Sequence, residues 1–381
     1  MKNIDSYFSD FLSEIRLTPS QKSDLKAGHK TLRDRLMADP DLKSIIVNTF
    51  LQGSYRRATA VRPLNDKRAD VDVIVVTNLD KTKVTPAQAI EKFIAFCEKY
   101  YKGKYKLQGR SIAIELSYVD LDIVVTSAPS EVDSVALASK SITSDLTLED
   151  FTKDYEWRLI KGWSEPDFTK SYNILSDALS KEAEWKLSPL WIPDRDAKIW
   201  VETHPLEQIR WTRDKNKNTN RHYVNVVKAL KWWRILKLTD IKYPKGYPIE
   251  HMIGDCCPDG ISSVAEGVCR SLETVVSRYR VDRSNRKTPS LSDRGVPTHN
   301  VWKRVSDDDF VKFYDHVAEY AKIARKAYDA EKVKEKVENW QKLFGDKFPD
   351  YNGDDEGGSK NSSSGFTPRE QVSSIAGGRF A

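Results

Sequence analysis

Gln52-Gly53-Ser54-Tyr55-Arg56-Arg57, followed a dozen residues on by Ala69-Asp70-Val71-Asp72-Val73-Ile74-Val75-Val76, is the stretch from which this chain is best read. The second segment alternates carboxylates with valines and reads as a buried strand. Side chains alternate across a strand, so Val71, Val73 and Val75 share one face and Asp70 and Asp72 the other. Two carboxylates side by side on a rigid strand repel each other, and a cation between them relieves the repulsion. Hard oxygen ligands select Mg²⁺. The preceding Gly-Ser loop supplies the complement. Gly53 lets the backbone approach closely, and backbone N–H groups with the Ser54 hydroxyl can hold phosphate oxygens. Gln52, Gly53 and Ser54 are therefore candidate nucleotide-binding residues. Triphosphate and metal together point to phosphoryl or nucleotidyl transfer.

A third carboxylate belongs on a later strand. Val119-Asp120-Leu121-Asp122-Ile123-Val124-Val125-Thr126 reads as one, with Asp120 and Asp122 on a common face. Ile45–Leu51, Tyr105–Gly109 and Ile112–Tyr118 read as further strands. Apolar spacing predicts helices over residues 4–16, from Thr18-Pro19 onward with His29 as a packing histidine, and from Thr85-Pro86 through Cys97.

The order Gly-Ser, Asp-x-Asp, later acid resembles the nucleotidyltransferase superfamily of DNA polymerase beta. The longer match, Phe50-Leu51-Gln52-Gly53-Ser54 with Thr59-Ala60-Val61-Arg62-Pro63, is similar to the bacterial CD-NTases of the clade D type. These are relatives of cyclic GMP–AMP synthase and oligoadenylate synthase that signal in anti-phage (CBASS) defence. The resemblance covers about residues 1–350. It implies an α+β fold, a polymerase-beta-like nucleotidyltransferase domain with a mixed sheet joined to a helical lobe, and N-terminal helices that brace the sheet. It also selects Asp122 as the third acid, because two apolar residues and a Pro/Ser/Ala-type turn follow it. Asp70, Asp72 and Asp122 are then the catalytic and metal residues, holding two Mg²⁺ ions. One departure stands out: the usual Gly-Thr after the basic residues is Ala58-Thr59 here.

The second half is mostly helical. Residues 130–200 are irregular and rich in tryptophan (Trp157, Trp163, Trp185, Trp191, Trp200), with Pro189–Pro193 read as a crossover. Arg221–Leu238 reads as one helix. Its Val226–Trp233 matches a family helix from which a lysine reaches the triphosphate, which implicates Lys231 with Lys228 behind it. Tyr243–Glu250 matches a family segment that usually carries serine where Gly246 stands. Lys245 and the backbone would take over that phosphate contact, and Tyr247 would stack on a base or pack. Amphipathic helices follow over Ile261–Tyr279 and Ser306–Tyr328. The expected organisation is a catalytic core over residues 1–165, a helical lobe over 166–350 and a disordered tail over 351–381.

Composition narrows the function classes. The 381 residues carry 62 cationic and 56 anionic side chains, net +6, well mixed along the chain. That suits a positive cleft for triphosphates without requiring a nucleic acid, and no nucleic-acid activator is expected. The four cysteines lack zinc-ligand spacing and read as reduced thiols. No leader and no membrane-spanning run is read, so a cytoplasmic location and no membrane partner are expected.

The resemblance implies a synthase that joins NTPs, ATP preferred, into a cyclic trinucleotide that switches on a nuclease-type effector. The rival is a template-free RNA- or tRNA-tailing enzyme, which requires clustered cations interleaved with aromatics; no sharply basic block is present. Residues 352–381 hold six glycines and six serines, too little apolar content to fold, and end in Gly377-Gly378-Arg379-Phe380-Ala381. By resemblance to defence operons, a ubiquitin-transferase-like conjugating enzyme would act on the Ala381 carboxylate.

Overall fold

The computed structural model describes residues 3–64, 67–127 and 189–353. Helix α1 (Ile4–Ile15) is followed by α2 (Pro19–Ala38), which starts on a full capping box: Thr18 accepts from Gln21 N while the Gln21 side chain accepts from Thr18 N. Strand β1 (Ile46–Gln52) runs into the short helix α3 (Gly53–Arg56), and β2 (Asp70–Thr77) returns antiparallel to β1. Helices α4 (Pro86–Glu91) and α5 (Ile94–Tyr101) precede β3 (Tyr105–Leu107), β4 (Ile112–Glu115) and β5 (Asp120–Ser127). The sheet order is β1-β2-β5-β4-β3, with β2 and β5 parallel and the other pairs antiparallel. This is the expected mixed sheet.

Alternation along β2 and β5 sorts the two faces. Val71, Val73, Val75, Leu121, Ile123 and Val125 join the core under α2 and α5, with Leu25, Leu32, Phe93 and Cys97. Ile74, Val76 and Val124 point the other way, into a smaller cluster with Phe50 and Leu190. Asp70, Asp72, Asp120 and Asp122 fall on this second face, at the strand starts, where the apolar cover has not begun.

Four local differences from the sequence reading have physical causes. The helix opened by Thr85-Pro86 breaks into α4 and α5 at Lys92–Phe93, although Ile90, Phe93 and Cys97 still share one core. Residues 189–193 form no crossover. Strand β6 (Leu190–Asp194) pairs with β5 through Ser127–Trp191 and with β7 (Ile199–Thr203), so the sheet is completed from the half assigned to the helical lobe. Pro193 is tolerated because β6 meets β5 only at Trp191. Third, of the two N-terminal helices α2 braces the sheet, whereas α1 packs Phe8 and Phe11 onto Trp340, Phe344 and Phe348 of the helical lobe, rings 4.4–6.0 Å apart. Fourth, the helix read over 221–238 is shorter, Tyr223–Lys237, because Asn220 and Arg221 take positive φ and break the chain before it.

The helical lobe consists of α6 (Pro205–Asn218), α7 (Tyr223–Lys237), α8 (Tyr247–Cys256), α9 (Val264–Arg278), α10 (Arg280–Ser284), α11 (Asp307–Asp329) and α12 (Val333–Phe344). Helix α7 is its axis, buried on nearly every side through Tyr223, Val226, Val227, Leu230 and Trp233. All four cysteines are buried free thiols, and burial pushes the Cys97, Cys256 and Cys269 thiols up to about 12, which keeps them unreactive. No described helix is long and apolar enough to cross a membrane. The 165/166 division, Trp157, Trp163, Trp185 and Ala381 lie outside the described residues.

Candidate active site

The parallel register of β2 and β5 brings the carboxylates into two rows: Asp70 opposite Asp120, and Asp72 opposite Asp122. Their neighbours distinguish them. Asp120 is held by Arg68, whose Nε lies 2.7 Å from Asp120 Oδ1. Among the described residues Asp122 meets no cation; it accepts from the Ser111 hydroxyl on the β3–β4 turn at 3.1 Å. Asp72 and Asp122 are half-buried and Asp70 is exposed. Burial, then the charges of Asp70 and Asp122, push the Asp72 carboxyl up to about 7, against the pull of Arg57. Burial chiefly, with Asp70 and Asp120, also raises Asp122, opposed by the Ser111 hydrogen bond. Asp72 and Asp122, both raised by burial and by neighbouring carboxylates, form a site that gains by taking up a cation.

Among the described residues, no three histidine, cysteine, aspartate or glutamate side chains are already drawn together as a finished metal cage. The donor set still fits a hard divalent ion. Mg²⁺ retains several waters and takes only one or two carboxylates plus substrate phosphates, so a protein-only cage is not required.

The glycine-serine segment is set directly beside these acids. Gln52 ends β1 opposite Asp72. Gly53 turns with φ +76°, and a Cβ built there would fall 1.8 Å from Asp72 Oδ2. Only glycine allows the chain to pass so close to that carboxylate. Ser54 follows in the first turn of α3, half-buried. The helix ends in a Schellman cap: Ala58 N donates to Tyr55 O at 3.1 Å and Thr59 N to Ser54 O at 2.9 Å. The residue after such a cap takes the left-handed conformation, and Ala58 does so with φ +57°. Glycine is the easy residue there; alanine costs about 1 kcal/mol more. The Ala58-Thr59 departure noted in the sequence is thus a site of backbone strain.

The lysines fall differently. Lys231, on α7, is mostly buried: its Nζ donates to Thr59 O at 2.8 Å and lies 3.9 Å from Glu250 Oε2. Burial lowers its pKa, Glu250 and Asp70 pull it back up, and Arg57 lowers it. Lys231 therefore borders the acidic site while gripping the backbone beyond α3. Lys228, one turn back, is deep in the core with 1% exposure. Lys245 is exposed, its ammonium 5.4 Å from the Tyr243 ring. Gly246, with φ +62°, precedes the first turn of α8. Tyr247 packs under Arg57, the guanidinium 5.0 Å from its ring centre, with its hydroxyl 3.4 Å from His251 Nδ1.

Two site features gain a role only in the fold: Ser111, which the sequence reading passes over, and Glu250, which it places in the matched 243–250 segment without a role. Ser111 is an ordinary turn serine until the fold places it on Asp122. Glu250 is buried with Arg57 Nε at 2.6 Å and the Thr59 hydroxyl at 2.7 Å. Burial alone would raise its carboxyl, but Arg57, Lys231 and the hydrogen bonds from Arg57 and Thr59 hold it below the usual range. Arg57 and Glu250 are 193 residues apart, and no local signal joins them.

Comparison with known proteins identifies the family. The profile of the Second Messenger Oligonucleotide or Dinucleotide Synthetase domain matches residues 1–147. The chain is 45% identical to the cyclic AMP-AMP-GMP synthase of Enterobacter hormaechei subsp. hoffmannii (strain UCI 50), over 98% of each chain. It is 46% identical to a probable cyclic AMP-AMP-GMP nucleotide synthase of Salmonella paratyphi B, over 99% of this chain and all of that one. Among solved structures, the E. coli MS115-1 CdnC:HORMA-deltaN complex matches with TM-score 0.59 at 15% identity, covering 91% of this chain and 98% of that one, which carries the fold. With relatives this similar along essentially its whole length, the chain belongs to the CD-NTases, the bacterial nucleotidyltransferases that make cyclic oligonucleotide second messengers in CBASS anti-phage defence.

Proposed function

We propose that this CD-NTase joins ATP and GTP into a cyclic trinucleotide of two AMP units and one GMP unit. The observation that carries this is the full-length similarity to two synthases bearing that product in their names. It is supported by the row of Asp72 and Asp122 with Asp70 beside the glycine-led helix.

In this reading Asp70 and Asp72 would hold one Mg²⁺ with the donor triphosphate, and Asp122 would share a second and lie toward the attacking ribose. The ions, when bound, polarise the α-phosphate and lower the pKa of the ribose hydroxyl. The Ser111 hydroxyl fixes Asp122 Oδ1 and so orients a carboxylate that accepts the hydroxyl proton. The ribose oxygen bonds to the α-phosphorus, the bond to the β-phosphate oxygen breaks, and pyrophosphate leaves with that electron pair. The Gly53–Ser54 backbone and Lys231 offer donors to the triphosphate, and Lys245 and Tyr247 stand at the start of α8 for the outer phosphates or base. A final intramolecular attack closes the ring. The product would activate a nuclease-type effector, and a conjugating enzyme acting through Ala381 belongs to the same reading.

The test is to supply purified protein with ATP alone, GTP alone and both, with Mg²⁺, and weigh the products by mass spectrometry. The mass of a ring of two AMP and one GMP, formed only with both nucleotides, is expected. A ring from ATP alone would correct the base composition, and a ladder of linear chains would favour the tailing enzyme instead.

A further inference from the structure

The carboxylate of Glu250 is unused by the chemistry above, yet it is among the most thoroughly engaged side chains in the protein. It is carried on α8 of the helical lobe and is 2% exposed. One oxygen takes Arg57 Nε at 2.6 Å and the other takes the Thr59 hydroxyl at 2.7 Å. Its backbone carbonyl accepts from the Tyr223 hydroxyl at 3.2 Å, which ties it to α7. From α7 itself Lys231 reaches across to Thr59 O. Arg57 and Thr59 flank Ala58, the left-handed residue that closes the cap of α3. The other end of α3 is Gly53, in contact range of Asp72. A strained backbone position persists only where its surroundings over-determine it, and here they do so from the opposite lobe.

We propose that Glu250 is a positioning residue for nucleotidyl transfer: by gripping Arg57 and Thr59 on either side of Ala58, it locks α3 so that Gly53 and Ser54 stay in register with Asp72. The proposal rests on the reading of that site given above. It explains how this chain manages alanine where glycine is the easy residue. The strain at Ala58 is offset by a buried ion pair and hydrogen bond from the helical lobe, which also tie α3 to that lobe. Holding groups in register matters because a misplacement of about 1 Å costs roughly a hundredfold in rate.

The test uses Thr59→Val, which removes the hydroxyl donor but keeps the shape, Thr59→Ser, which keeps the donor, and Thr59→Val combined with Ala58→Gly. Glu250→Gln is a companion, interpreted only if it folds, since it leaves Arg57 and Lys231 uncompensated. Amide hydrogen exchange of residues 53–60 is measured with KM and kcat for ATP and with thermal melting. Thr59→Val should speed exchange in 53–60 by roughly tenfold, the factor for one lost buried hydrogen bond, with β2 and α7 unchanged and KM raised. Thr59→Ser should behave as the unaltered protein, and adding Ala58→Gly should restore part of the protection. Unchanged exchange in 53–60, an equal loss in Thr59→Ser, or no restoration by Ala58→Gly would overturn the proposal. An unaltered protein that makes no nucleotide product would refute the functional reading instead, and the exchange arm would still decide the lock.

Discussion

Replacing Gly53 with alanine tests the close approach on which the site depends. The new Cβ would start 1.8 Å from Asp72 Oδ2 and 3.0 Å from its Cγ. An ordinary C···O contact is about 3.3 Å, so the carboxylate must retreat by roughly 1.5 Å. A displacement of that size in a reacting constellation costs about a hundredfold or more in rate. The backbone adds its own term: an alanine at φ +76° costs about 1–2 kcal/mol, which lowers the melting temperature by only a few degrees in a chain of this size. Gly53→Ala is therefore expected to fold and to lose about two orders of magnitude in activity. The assay is the initial rate of pyrophosphate release from ATP and GTP, at a temperature where melting curves show both proteins folded. A folded variant within about threefold of the unaltered rate would refute the reasoning, because it would mean that Asp72 does not need the position it occupies.

Other consequences follow from the same geometry. Asp72→Asn and Asp122→Asn should each lower product formation by about a hundredfold or more without lowering the melting temperature, whereas Asp120→Asn, which only frees Arg68, should retain activity; the reverse pattern for 120 and 122 would move the third acid. Asp72 is protonated up to about pH 7 when folded but only to about pH 4 when unfolded. Between those values the folded state binds more protons, so in EDTA the contribution of Asp72 to stability falls as pH rises from about 4 to 7. The difference in stability between the unaltered protein and Asp72→Asn should show that slope, and saturating Mg²⁺ should flatten it; a difference independent of pH would contradict the mutual repulsion of the acids. Lys231→Ala should weaken binding of a non-hydrolysable ATP analogue by about 1–3 kcal/mol, and unchanged affinity would confine Lys231 to holding Thr59.

Much of this site is legible in the sequence because it is written at short range. Alternation in Asp70–Val76 and Asp120–Thr126 specifies two strands and the face on which their acids lie, and the order Gly-Ser, Asp-x-Asp, Asp specifies what those strands are for. What the sequence leaves open is which buried face meets which partner. The stripe of Phe8, Phe11 and Ile15 says only that one side of α1 is covered, and tertiary packing gives it to the helical lobe rather than the sheet. Pro189 and Pro193 speak against a strand, yet β6 forms because β7 pairs its full length. Ala58 appears as a small departure in sequence and becomes a strained cap only in the fold. Ser111 carries no motif of its own and Glu250 only closes the matched Tyr243–Glu250 segment; they gain meaning from Arg57, Thr59 and Asp122, which the folded chain delivers to them.

The central claim is that Asp70, Asp72 and Asp122 drive nucleotidyl transfer that ends in a ring. Its most direct test incubates the purified protein and the Asp72→Asn variant with α-³²P-labelled ATP and GTP and Mg²⁺, treats both with phosphatase and separates the labelled products. The account predicts one compact phosphatase-resistant species containing both labels from the unaltered protein, and none from the variant. Phosphatase-sensitive label alone, a ladder of lengthening chains, or the same resistant species from Asp72→Asn would contradict it.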